Sequence, residues 1–385
     1  MALIEALLSA FKGGERNRVP LFPGYLQDCF RGYGAVGTQQ PFDYRRAVEA
    51  AYLANPIAQR AVRIVAEGVG QAPMTCSDPA LARLVKATSA GQPLIESLAA
   101  HVLLHGNGYV QILKDASGRP VELFALRPER VSIIAGADGW PQAFRYEVAG
   151  EGMTIPAEDD QGWPSIIQIK AMHPLDDHLG AGSLSAAHQA ILVHNAATAW
   201  NQSLLENAAR PSGALVYDGG DGAGLTQDQF ERLRGELESA FSGALNAGRP
   251  LLLDGGLKWQ SMALSPADMD FATLKSAAAR EIALAFGVPP MLLGLPGDNT
   301  YSNYREANRA LWRLTLLPLA HKLFSALEEG LEAWFAEASI AIDLDRITAL
   351  SEDRERLWKQ VSDADFLSRA EKRQMLGFPA EENAP

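Results

Sequence analysis

Apolar residues recur at helical spacing over Tyr44–Val69, "YRRAVEAAYLANPIAQRAVRIVAEGV", with a break at Asn55-Pro56. Proline suits the first position of a new helix, because its missing N–H would be unpaired there in any case. A short helix over Pro79–Thr88 and a longer one over Pro93–His105 follow, the second stopped by "GNG", where Gly and Asn tolerate a left-handed helix end. The period then shortens. Runs of β-type residues bounded by Gly, Pro or Asp fill "GYVQILKDASGRPVELFALRPERVSIIAGADGWPQAFRYEV", and "SIIQIKAM" adds one more. With "ASG" and "ADGW" as hairpin signals, residues 106–172 are predicted to form a small antiparallel sheet.

Helical periodicity returns over Ser183–Arg210, with Ser183 as the expected N-cap and Pro211 beyond the end. This segment is rich in alanine, which favours helix. A second Ala-rich helix is predicted over Phe271–Phe286. Between them residues 212–266 form an α/β insert: a strand "GALVYD", a helix Thr226–Ser242 capped by Thr226, and strands "RPLLLDGG" and "LKWQSMAL". The pattern is that of two helices carrying a small module at their tip.

The second helix stops at Gly287 and Pro289-Pro290, and a polar loop precedes a predicted helix over Tyr304–Phe335. At 1.5 Å per residue it would span roughly 45 Å, and Pro318 in its middle is expected to kink it. Arg305, Arg309 and Arg313 lie early in this helix and Glu328, Glu329 and Glu332 late, the unfavourable sense for the helix dipole. Such an arrangement calls for compensation from elsewhere or is surface noise. "SIAIDL" reads as a strand, and 351–377 as charged helices stopped by Gly377.

Composition changes this picture little. The chain has 385 residues, 47% of them hydrophobic and 21% charged, as in ordinary globular proteins. A formal charge of −12 argues against a tight nucleic-acid binder, which would show a basic patch. Two cysteines, Cys29 and Cys76, rule out a disulfide scaffold and fit a reducing compartment. The N-terminal "MALIEALLSAFKGG" lacks a basic n-region and carries Glu5 in its apolar run, so an amphipathic helix is expected rather than a signal peptide. Residues 13–45 read as an arm. No apolar run is long enough for a membrane span, and the protein is expected in the cytoplasm when made.

Candidate chemistry is sparse. Gly32-Tyr33-Gly34-Ala35-Val36-Gly37 matches G-x-G-x-x-G but lacks the preceding strand and following helix that a dinucleotide site needs. His101 and His105 have i, i+4 spacing, yet position 102 is Val102 where a zinc protease requires Glu, and core or capping histidines are the simpler reading. "DGGDGAG" (218–224) lacks the ligand spacing of a calcium loop. There is no phosphate-binding G-x-x-x-x-G-K-[ST] loop and no G-x-S-x-G elbow. Trp259, Trp312, Trp334 and Trp358 sit beside apolar neighbours and are expected to pack in a core or subunit interface. No catalytic residue, cofactor or metal site is expected.

The order of segments resembles the portal proteins of long-tailed bacteriophages and of phage-like gene transfer agents. The marks are "HGNGYV" (105–110), "LRPERV" (126–131), and "FGVPPMLLG" (286–294) with Asn303-Tyr304-Arg305-Glu306-Ala307-Asn308 behind it. The resemblance spans about 40–350. It implies an α+β portal-type fold: a wing over 1–180 and 304–350, stem helices over 181–211 and 267–292, a clip over 212–266, a tunnel loop over 293–303, and a short helical crown over 351–385.

It further implies a ring, usually of twelve subunits, at one capsid vertex. DNA would be packaged and ejected through its channel, with the virion or virus-like particle as final location and the bacterial cytoplasm as the place of assembly. The implied partners are the major capsid protein, a head–tail adaptor, the large terminase and double-stranded DNA passing non-specifically, with no membrane. The channel loop would be Leu295, Pro296, Gly297, Asp298, Asn299, Thr300, Tyr301 and Ser302. Asp218, Gly219, Gly220, Asp221, Asp254, Gly255 and Gly256 would face clip partners. A monomeric binding adaptor using 212–266, and a hydrolase with dispersed catalytic residues, are the competing readings.

Overall fold

The computed structural model describes residues 42–206, 213–217, 226–229, 231–232, 235, 257–261, 271–296 and 301–377. The expected N-terminal helix, the glycine motif at 32–37 and Cys29 lie outside the described residues.

Helix α1 (Tyr44–Val48) runs on into a π-helical turn over Glu49–Leu53. Helix α2 (Pro56–Gly70) begins where Asn55 Oδ1 accepts from the N–H groups of Ile57 and Ala58, both at 3.0 Å, with Pro56 at the first position. Side-chain caps of this kind satisfy donors that have no intrahelical partner. Strand β1 (Met74–Cys76) and helix α3 (Pro79–Val85) lead to a two-residue ladder, β2 (Thr88–Ser89) with β3 (Gln92–Pro93). Helix α4 (Leu94–His105) is closed by Gly106 at φ +86°, a conformation open to glycine.

The 106–172 region makes two antiparallel sheets, where one was expected. The first has the order β5 (Pro120–Leu126), β4 (Asn107–Lys114), β9 (Ile166–Lys170), and the second β6 (Val131–Ala135), β7 (Pro141–Val148), β8 (Glu151–Pro156). Alternation along each strand reads the same in either case; which strands pair is a tertiary matter. "LRPERV" is the corner between the sheets. Leu126 ends β5, Pro128–Arg130 form a 3-10 turn, and Val131 starts β6. Tyr109, Leu126, Phe144, Ile155 and Ile166 form a small core joining the two sheets. Both hairpin signals fall on turns, with Gly118 at φ +79° and Gly139 at φ +83°.

Helix α5 (Ser183–Glu206) and helix α6 (Phe271–Ala285) pack side by side. Ser183 is the first helical residue of α5 rather than the residue ahead of it. Strands β10 (Gly213–Tyr217) and β11 (Leu257–Ser261) pair antiparallel, as two strands of the expected insert. Thr226 holds its expected capping place, exchanging hydrogen bonds with Gln229. The "RPLLLDGG" strand lies outside the described residues, and the 226–242 helix is described only in part.

The long helix starts at Tyr301 and ends at Leu331, three residues earlier and four earlier than expected. It consists of α7 (Tyr301–Leu311), a π-helical turn over Trp312–Leu316, and α8 (Leu317–Leu331). Proline within a helix removes a donor and crowds the preceding turn. Here the widened turn absorbs that misfit and places Pro318 in the first turn of α8. Strand β12 (Ile340–Ile342) pairs with β1, which the sequence pattern missed. Its Ile340 N–H donates to the Glu328 carboxylate. Helices α9 (Ser351–Asp363) and α10 (Arg369–Leu376) close the described chain, with Gly377 at φ +86° as the stop.

The early arginines of the long helix are compensated within the chain. Arg309 bonds Glu352 at 2.7 Å and Glu306 at 2.9 Å and approaches Asp353 at 3.4 Å, while Arg305 also pairs with Glu352. Glu352 and Asp353 lie in the first turn of α9, where carboxylates also favour the helix dipole. One set of charges therefore serves both helices and holds α9 against α7.

Candidate functional site

Two of the three sequence marks lie where the α5/α6 pair and the polar loop join the body. The first is the base of α5. Gly106, Gly180 and Gly182 bring two backbone segments into direct contact: a Cβ on Gly180 would lie 2.1 Å from Gly106 O, and one on Gly182 2.5 Å from Leu104 O. Asn107, fully buried, fastens this crossing. Its Oδ1 accepts from Gly180 N at 2.9 Å, and its Nδ2 lies 3.2 Å from His105 Nδ1. Gln168 Nε2 donates to His178 O at 2.7 Å and reaches Tyr109 OH at 3.3 Å. "HGNGYV" is thus the seat on which the segment entering α5 is held.

Farther along α5, Asn55 Nδ2 lies 3.0 Å from His194 Nδ1 and donates to Asn195 Oδ1 at 2.8 Å, while Asn195 Nδ2 donates to Ala50 O at 2.9 Å. One buried amide therefore caps α2 and ties α5 to the corner between α1 and α2.

The second of these marks, "FGVPP", ends α6. Val288 N–H donates to Ala283 O at 2.9 Å and Gly287 N–H to Leu284 O at 3.0 Å, with Gly287 at φ +66°. This is the Schellman arrangement, in which a left-handed glycine lets two following N–H groups satisfy the last helical carbonyls. Phe286 and Val288 are buried against the core, and prolines at 289 and 290 forbid a further turn. Thr315 Oγ1, from the π-helical turn, donates to Gly287 O at 2.6 Å. After a 3-10 turn over Pro290–Leu293, Pro296 O accepts from Arg280 Nη2 of α6.

Of the expected channel-loop residues, Leu295 and Pro296 are tied back to α6 and the 3-10 turn. Tyr301 and Ser302 are corrected from loop to helix, since α7 begins at Tyr301. Gly297, Asp298, Asn299 and Thr300 lie outside the described residues. So do Asp218, Gly219, Gly220, Asp221, Asp254, Gly255 and Gly256; the flanking Tyr217 and Leu257 are register partners in the β10–β11 ladder.

The paired histidines of α4 are packing residues. His105 meets the Tyr44 ring edge-on at 4.8 Å, and His101 Nδ1 is buried without a hydrogen-bond partner. Burial, then the proximity of His105 and Arg127, pushes His101 down to about 4, and burial also lowers His105 and His194. Among the described residues no group of His, Cys, Asp and Glu could hold a metal ion. Trp334 donates to Gly118 O at 2.8 Å and meets Trp163 edge-on at 5.0 Å, and Trp312 packs against the main core. Trp358 is more open and donates to Asp345.

A pH dependence follows from the histidines. They stay neutral in the folded chain, while in the unfolded chain they protonate near pH 6.5. Their contribution is complete above that value and is lost as pH falls towards the folded value of about 4 for His101. Urea midpoints measured from pH 7 to pH 4.5 are expected to fall, and to fall less in His101→Leu. An equal fall in that variant would show that His101 has no part in it.

The sequence matches the phage portal protein family over residues 56–377. Among solved structures, it is 45% identical to a chain in the neck of an empty gene transfer agent particle computed with C6 symmetry. That match covers 88% of this chain and 95% of the other, with a TM-score of 0.69. A chain from the neck of the native particle, computed with C12 symmetry, is likewise 45% identical over 89% and 95% of the two chains, with a TM-score of 0.68. An uncharacterized protein of Rickettsia felis is 40% identical over 86% of this chain and 88% of its own length. The probable portal protein of Streptomyces phage phiC31 is 26% identical over 69% and 58%. The α+β order of elements, the three marks in their structural places and a match over most of the chain lead to one conclusion: the chain belongs to the phage portal protein family.

Proposed function

We propose that this chain is the portal subunit of a phage-like particle, a conduit with no catalysis of its own. Copies of it assemble as a ring, of twelve by analogy with the C12 neck, at one vertex of the capsid. DNA is packaged and ejected through the central channel. The observation that carries this reading is the 45% identity, over 88% of the chain, to a protein in a gene transfer agent neck computed with sixfold symmetry. In this reading residues 1–180 and the long helix with β12 belong to the wing, α5 and α6 to the stem, and α9 and α10 to the crown. The 212–266 insert is the clip that meets the terminase and then the head–tail adaptor. The tunnel loop is the polar segment expected over 293–303, between the end of α6 and the start of α7.

The chemistry agrees with this role. A channel through which duplex slides needs weak contacts, since strong phosphate neutralisation would hold the DNA through counterion release. Asp298, Asn299 and Thr300 offer no positive charge, and the chain as a whole carries −12. Electron microscopy of the purified protein, and of the vertex of an intact particle, is expected to give rings with an axial hole wide enough for duplex. A protein that is monomeric in solution and missing from the vertex would overturn the reading. Deleting Gly297–Thr300 is expected to leave rings intact and to impair DNA packaging or retention. Full packaging and retention would end the tunnel-loop assignment alone.

A further inference from the structure

Two buried asparagines fasten α5 to the body in the same way. Asn55 is 1% and Asn107 0% exposed, and each commits its carbonyl oxygen to backbone donors. Asn55 Oδ1 accepts from the N–H groups of Ile57 and Ala58, and Asn107 Oδ1 from that of Gly180. Those bonds orient both amides, since a flipped amide would set its NH2 against N–H groups. The Nδ2 of each must therefore donate, and each is aimed at a histidine Nδ1: Asn55 at His194 (3.0 Å) and Asn107 at His105 (3.2 Å). Asn195 completes the first fastening, accepting from Asn55 Nδ2 at 2.8 Å and donating to Ala50 O at 2.9 Å. With these roles fixed, both histidine Nδ1 atoms are acceptors, so each imidazole is neutral with its proton on Nε2.

Protonation inverts the contact. A proton on Nδ1 removes the lone pair and sets N–H against the asparagine NH2. At His194, 5% exposed, neither group can turn to water, and an unmatched buried donor is costly. The charged neighbours differ at the two places. Lys275 of α6 adds to burial in lowering the His194 pKa, and α5 itself carries no Asp, Glu, Lys or Arg from Ser183 through Leu205 to offset it. His105 meets Tyr44 edge-on and follows His101 by one turn of α4, while Glu129 partly offsets the lowering by burial. The His194 fastening is thus the more responsive to acid.

We propose that His194 and His105 are acid-released catches, holding α5 to the α1/α2 corner and to the Gly180 seat, and that protonation at Nδ1 lets α5 detach at these two points. Above a pH of about 6.5 both catches are closed. Below it, a released histidine takes up a proton that the closed joint excludes, so opening becomes more favourable as pH falls. Both catches lie within one chain and do not depend on ring formation. In the portal reading above, where α5 is a stem helix, their release loosens the stem from the wing.

The test is hydrogen–deuterium exchange by mass spectrometry on the full chain at pH 7.5 and pH 5.0, corrected for the intrinsic pH dependence of amide exchange. Exchange is expected to rise roughly tenfold in segments 50–62 and 188–200 around the His194 catch, and less in segments 104–110 and 178–184 around His105. His194→Asn sets a neutral amide oxygen near the place of Nδ1. It is expected to abolish the first rise and keep the second, and His105→Asn to do the reverse. Lys275→Met lets the closed joint accept the proton more readily, so the rise around His194 is expected to be smaller than in wild type. No corrected rise around His194 in the wild-type chain, or an equal rise in His194→Asn, would overturn the proposal. Should His194→Asn melt early at pH 7.5, Lys275→Met decides, and an undiminished rise in that variant overturns it too. Either result leaves the portal reading standing.

Discussion

Gly180→Ala is expected to destabilise the chain severely, although it adds only one methyl group. The new Cβ would stand 2.1 Å from Gly106 O, 2.7 Å from Ala171 N and 2.9 Å from Ala171 O. All three are backbone atoms, so no rotamer change can relieve the collision. Neither segment is free to retreat: Ala171 N donates to Gly106 O at 2.8 Å, and Gly180 N donates to the buried Asn107 at 2.9 Å. Overpacking that backbone cannot absorb belongs to the rare class of substitutions costing about 4 kcal/mol or more. For a chain of this size that corresponds to a fall in Tm of about 5 °C. Gly91→Ala is the control. Gly91 has φ +78° with nothing within 4 Å of an added Cβ, so it carries only the left-handed strain of about 1 kcal/mol. Thermal melts separate the two, and a Gly180→Ala protein that melts with the Gly91 control would refute the close-crossing account. Because Gly180 seats the segment entering α5, amide exchange in α5 is expected to rise together with the loss of stability.

Asn55→Ala is expected to cost about 3 kcal/mol, the second largest effect. Asn55 is 1% exposed. Removing its side chain deletes the α2 cap, about 1 kcal/mol, and leaves Asn195 Oδ1 and His194 Nδ1 without their donor in a buried site, about 1–3 kcal/mol more. Asn55→Asp separates these contributions. It keeps the acceptor that caps Ile57 and Ala58, but sets a carboxylate against His194 Nδ1. The folded His194 pKa, lowered by burial and then by Lys275 in the native chain, would then rise. A group raised on folding stabilises below its unfolded pKa and loses that contribution as pH increases. The stability of Asn55→Asp relative to wild type should therefore improve from pH 7.5 to pH 5.5. Urea titrations at the two values test this, and a constant difference between the proteins would rule out the His194 contact as the link.

Much of the architecture was legible because it is written in local chemistry. Asn55-Pro56, Gly106, Gly287 with its two prolines, and Gly377 each end or start a helix through caps and backbone preferences that act within a few residues. The hairpin glycines at 118 and 139 are of the same kind. The site was less legible. Asn107 and Gly180 are 73 positions apart, and nothing near either predicts the other. "HGNGYV" was recognisable as a mark, and its task of seating α5 needed the fold. The unfavourable order of charges on the long helix was visible, yet its resolution by Glu352 and Asp353 was not, since the partner arrives from a separate helix. Pro318 announced a break, but whether it would appear as a kink or as a widened turn depended on the packing around Trp312–Leu316.

By itself the sequence determined where most of the helices begin and stop, that two alanine-rich helices flank the 212–266 segment, and that the arrangement of marks resembles portal proteins. Caps, turns and periodicity are set by near neighbours along the chain, and they need no fold to be read. Only the tertiary structure decided that the β region divides into two sheets, that β1 finds β12, that α7 begins at Tyr301, and that Leu192 and Val193 of α5 stay exposed. Those outcomes depend on which surfaces meet across long stretches of chain, and free energy of burial and of paired hydrogen bonds selects them only once the whole chain is packed.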